Sequence, residues 1–136
     1  MHRRYLVLAA LLCVTGCLWR SYGEILSVHL SVLTEMAAKL CAVVQAGKGP
    51  TAQGMAEYVY PLQRGREFLR QFDRYRDRQS YREFIQFLDR YEEMIHRLDA
   101  ARAEGRLATE LPQLLAERDT LQQLAAEIRN QLQVGN

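Results

Sequence analysis

The chain has 136 residues, 49% of them hydrophobic and 25% charged, with only 8 Gly and 3 Pro. That balance supports one self-sufficient core and excludes a disordered chain, and the abundance of Leu, Ala, Glu, Gln and Arg points to helices. With 18 Lys and Arg against 16 Asp and Glu, the net charge of +2 gives no argument for nucleic-acid binding.

The N-terminus carries the strongest pattern. His2, Arg3 and Arg4 form a basic cluster, the stretch from Tyr5 to Cys13 is apolar, and Val14-Thr15-Gly16-Cys17 follows. An aliphatic residue, a small residue, Gly and then Cys, placed behind such a leader, resembles the lipobox of bacterial lipoproteins. The resemblance implies cleavage between Gly16 and Cys17, diacylglycerol on the Cys17 thiol and an acylated new amino terminus. Two or more acyl chains make a stable membrane anchor. It also implies export to the periplasmic side, and sorting to the outer membrane in a host with two membranes, because Leu18 rather than Asp follows the Cys. The run from Tyr5 to Trp19 is too short to span a bilayer, which takes about 20 apolar residues.

Loss of Arg3 and Arg4 leaves the mature chain at 16 basic against 16 acidic residues. The expected division is a signal peptide over 1–16, a lipidated tether over 17–22 and a helical body over 23–136. Trp19, Arg20 and Tyr22 form an amphipathic cluster suited to the headgroup region. With Cys13 removed and Cys17 acylated, Cys41 has no partner, so the residue reads as a buried, inert thiol.

Four helices are expected in the body. The first covers about 23–46, with Leu26, Leu30, Leu33, Ala37, Leu40 and Val44 on one face, and ends at Gly47-Lys48-Gly49-Pro50. Thr51 caps a second helix over 52–78, whose apolar face is Met55, Tyr58, Leu62, Leu69 and Phe72. Pro61 and Gly65 predict a kink or break in it. Ser80 and Glu83 read as a capping box opening a third helix over 80–104, lined by Phe84, Leu88, Tyr91, Ile95 and Leu98 and stopped by Gly105. The fourth is expected over 112–133, with Pro112 in its first turn. Leu114, Leu121 and Ile128 recur in a heptad-like row, with Leu107, Leu111, Leu124 and Leu132 between, a pattern shared by bundle helices and intermolecular coiled coils. Short connections favour antiparallel neighbours, so the fold class is all-α, an antiparallel four-helix bundle.

Arg66, Arg70, Arg74, Arg78 and Arg82 recur every four residues, and Arg64 and Arg76 lie among them. From 64 to 82 there are seven Arg against Glu67, Asp73 and Asp77, while from 83 onward six Arg face ten acids. The plain account is a solvated face paired with acids of the bundle. The functional account is contact with an anionic partner, for which Arg is suited by its planar, bidentate geometry.

His29 with Met36, and His96 with Met94, are candidate ligands for haem or a metal in a periplasmic bundle. No Cys-x-x-Cys-His, Gly-x-Ser-x-Gly or His-Glu-x-x-His pattern accompanies them, and no pair of Glu-x-x-His motifs supports a di-iron site. The expectation is therefore a non-enzymatic, lipid-anchored adaptor or scaffold. Its partners would be the membrane, through the acyl lipid on Cys17, and another envelope protein. It would hold no metal and no cofactor and bind no nucleic acid. The last helix leaves open pairing with a second copy. The alternative is a periplasmic ligand-, haem- or metal-binding bundle.

Overall fold

The computed structural model describes the backbone of residues 2–134 and the side chains of residues 20–134. Four helices follow in order: α1 (His2–Gln45), α2 (Met55–Gln71), α3 (Gln79–Ala103) and α4 (Leu107–Gln133), with a 3-10 turn, η1 (Asp73–Tyr75), between α2 and α3. The fold is all-α. Each helix packs against its two neighbours around the bundle, α1 closing the ring against α4.

Antiparallel order is visible in the cross-links. Lys39, late in α1, meets Glu57, early in α2. Tyr81, early in α3, donates to the Leu69 carbonyl, late in α2, at 2.6 Å. Gln131, late in α4, donates to Glu83 of α3, and Arg129 of α4 reaches Ser31 of α1. One end of the bundle therefore holds residue 20, the α2–α3 connection and the end of α4. The other holds the α1–α2 and α3–α4 connections.

The apolar periodicity fixes the faces. Leu26, Leu30, Leu33, Ala37, Leu40 and Val44 of α1 are buried, as are Phe84, Leu88, Tyr91, Ile95 and Leu98 of α3. Each such side chain contributes roughly 1.5–3 kcal/mol by leaving water. Residues 20–45 are apolar and long enough to cross a membrane by length and composition, and that same apolarity here builds the core. Gly47 and Gly105 stop α1 and α3 in the left-handed region, at φ 74° and 70°. At both ends the following residue reaches back to close a Schellman cap, Lys48 to the Val43 carbonyl and Arg106 to the Ala101 carbonyl.

Several boundaries differ from expectation. Thr51 does cap, its Oγ1 accepting the Gly54 N–H at 2.9 Å, but regular helix begins only at Met55. α2 runs unbroken through Pro61 and Gly65. Pro61 is held inside the helix, and Gly65 serves packing: a Cβ there would stand 2.8 Å from Leu88 Cδ2. α2 stops at Gln71 instead of 78. The tighter winding of η1 puts residues three apart on one side, turning Phe72 and Tyr75 together onto Tyr22 at 5.9 and 4.4 Å between ring centroids.

The capping box is not formed. α3 opens at Gln79 with Arg78 in extended conformation before it, while Ser80 is buried and shares a 2.8 Å hydrogen bond with the Tyr22 hydroxyl. α4 begins at Leu107, upstream of Pro112, which sits inside the helix. Residues 20–22 belong to α1 and so to the bundle, not to a separate tether.

Candidate functional site

The five arginines of the four-residue series do not form one helical stripe, because η1 interrupts the helix that would have aligned them. Arg66 and Arg70 lie on α2, Arg74 on η1, Arg78 at the start of α3 and Arg82 in its first turn. Arg66 is taken up within the bundle, donating to Asp89 at 2.8 Å and Glu92 at 2.7 Å on α3. Arg82 donates to the Asp77 carbonyl at 3.0 Å. Arg70, Arg74 and Arg76 are exposed and make no ion pair among the described residues. The paired-face account holds for Arg66, and an exposed cationic group around the α2–α3 connection remains.

That connection lies at the end of the bundle where the chain enters at residue 20. Tyr22 marks the level: it is fully buried, stacks on Phe68 at 5.7 Å and meets Tyr75 and Ser80. Burial pushes its phenol up to about 12. The expectation that Tyr22 lies among headgroups is thus corrected, since an aromatic packed on three rings is unavailable to lipid. Arg20 is exposed at this end. The side chains of Cys17 and Trp19, and the lipobox itself, lie outside the described side chains.

The candidate metal ligands are not brought together. His29 packs on Phe68 at 5.2 Å and Phe84 at 6.4 Å, and burial, with Arg64 nearby, lowers its basicity. His96 is exposed, whereas Met94 beside it faces the core. Among the described residues no three His, Cys, Asp or Glu side chains gather as a metal site. His96 instead lies on a cleft of about 300 Å³ between α2 and α3, floored by Val59, Leu62 and Ile95 and rimmed by Arg66, Arg70 and Glu92.

Cys41 is a buried free thiol. Its Sγ–H points at the Leu114 carbonyl at 3.5 Å, and burial raises its pKa. Such a thiol is a poor nucleophile.

On α4, Leu114, Leu121 and Ile128 are fully buried inside the monomer. The heptad row is spent on the bundle, which leaves those side chains none of the exposure an intermolecular coiled coil requires. Sequence reasoning missed a different surface: Ile25, Val28 and Val32 of α1 are 39, 60 and 39% exposed. Their spacing of three and four places them in one row on the helix, off the leucine face. That second, shorter apolar periodicity was the available signal. The chain matches no family model, no characterised protein and no solved structure.

Proposed function

We propose that this is a lipid-anchored protein of the cell envelope, held by acylated Cys17, which acts without catalysis as an adaptor that keeps another envelope protein close to the bilayer. The observation that carries the adaptor reading is the apolar row Ile25, Val28 and Val32, which holds three of the five large hydrophobic side chains exposed among the described residues. The row is about 10 Å long and begins just over two helical turns from the anchor position. An apolar row of this kind is worth covering by a partner, because each side chain taken out of water adds favourable free energy. The expected surface is therefore this row, in place of the heptad face of α4.

A photo-crosslinking residue at Val28 in the full-length protein, expressed in its host, tests the reading. An adduct with a protein, lost when Cys17 is replaced by Ala, supports it. Adducts with lipid alone would place the row on the membrane and end the adaptor assignment.

A second reading rests on the α2–α3 cleft, whose apolar floor and exposed Arg70 and His96, beside the Arg66–Glu92 pair, suit a small anionic amphiphile. Saturable thermal stabilisation by a medium-chain fatty acid, removed by Arg70→Ala, would favour it.

A further inference from the structure

We infer that the end of the bundle bearing the α2–α3 connection is a docking surface for the phosphates of an anionic phospholipid bilayer. The inference rests on the lipid-anchor reading and adds an orientation to it: the protein stands on its arginine-rich end.

Charge is distributed unequally between the two ends. From 70 to 82 the chain carries Arg70, Arg74, Arg76, Arg78 and Arg82 against Asp73 and Asp77 only, and all seven are exposed. Arg20 joins them at the same end. At the far end Arg102 pairs with Asp99 and Arg106 with Glu104 and Glu110, so the α3–α4 connection is locally neutralised. Residues 20 to 45 of α1 separate the two ends by about 39 Å, several times the Debye length of about 8–10 Å. A charged surface at one end is therefore not felt at the other.

The place where the chain enters decides between a bilayer and an acidic protein as the occupant. Two residues, Leu18 and Trp19, separate Cys17 from Arg20, a reach of about 10 Å at most. An acylated Cys17 in the headgroup layer therefore holds the end containing residue 20, and with it the α2–α3 connection, within about a Debye length of lipid phosphate. Arginine suits phosphate by its planar fork of donors. The connection is also held in shape: Phe72 and Tyr75 pack on buried Tyr22, and Ser80 bonds its hydroxyl. Arg74 and Arg76 are thus displayed from a fixed turn. Each such side chain near an anionic surface raises the docked population about fivefold.

The test uses the mature acylated protein, reconstituted into vesicles of phosphatidylcholine alone or with phosphatidylglycerol. A nitroxide is attached at Gln79→Cys, at the arginine-rich end, or at Ala103→Cys, at the other; Cys41 is buried and stays unlabelled. The label at 79 is expected to be shielded from an aqueous nickel chelate in the anionic vesicles and open in the neutral ones. Shielding should disappear in Arg74→Glu/Arg76→Glu, whose circular dichroism should match the parent, while the label at 103 stays open throughout. Equal accessibility at 79 in both vesicles, or shielding that survives charge reversal, overturns the docking surface. So does shielding that requires added envelope proteins, which would assign the arginines to an acidic protein. Failure of the protein to float with either vesicle contradicts the anchor reading itself, and flotation is scored separately from accessibility.

Discussion

Gly65→Ala sets two known magnitudes against each other. Alanine in a helix interior is favoured over glycine by about 1 kcal/mol, so on an open face the substitution stabilises. At Gly65 the new methyl would stand 2.8 Å from Leu88 Cδ2 and 3.4 Å from both Leu88 Cδ1 and Phe84 Cζ. Leu88 and Phe84 are fully buried, so neither has free space to turn into, and overpacking of this kind costs about 1–3 kcal/mol. The strain wins: the expected outcome is a net loss of about 1 kcal/mol, or roughly 3–5 °C in Tm. Urea denaturation followed by far-UV circular dichroism measures it. Leu88→Val in the same chain should recover part of the loss, so that the two changes together cost less than their sum. A stabilisation by the full helix-propensity amount would refute the close approach of α2 to α3.

At alkaline pH, Tyr22 should report its burial. Its folded pKa of about 12 against an unfolded value near 10 means the stability is intact below pH 10. It should fall by about 3 kcal/mol between 10 and 12 as the unfolded phenol ionises first. Tyr22→Phe should lessen the slope, and Tyr91, also raised by burial, should keep the remainder. At acid pH the sign is opposite in origin. His29 is lowered by burial and by Arg64, so stability is full above about pH 6.5. It should decline as the unfolded state takes up its proton first below that pH, and His29→Gln should flatten this limb in a pH series of urea midpoints. Cys41 should react with iodoacetamide at neutral pH only as fast as the bundle opens. Reaction at the rate of an exposed thiol would contradict the α1–α4 seam.

Much of the fold was legible because the leucine face of α1 and the aromatic and aliphatic face of α3 repeat at helical spacing without interruption. The heptad row of α4 gave its helix but not its occupant, since periodicity is the same for a neighbour in the chain and one in another molecule. Four residue signals misled for identifiable reasons. Gly65 resembles a breaker but permits close packing, and Pro112 resembles a start but is tolerated inside. Ser80 and Glu83 have the spacing of a capping box, yet Ser80 bonds Tyr22 across the bundle, which no local pattern reveals. The regular arginine series suggested one face, but Phe72 and Tyr75 turn inward and wind the chain out of the helix. The row Ile25, Val28 and Val32 was hidden by the stronger leucine pattern around it.

Intact mass of the membrane-extracted protein, with and without Cys17→Ala, decides whether Cys17 is the anchor. The expected species is a mature chain beginning at Cys17 and carrying added acyl mass, sedimenting with membranes, with processing, acylation and membrane retention all lost in the variant. An uncleaved chain without added mass, fractionating alike with Cys17 present or replaced, would contradict it.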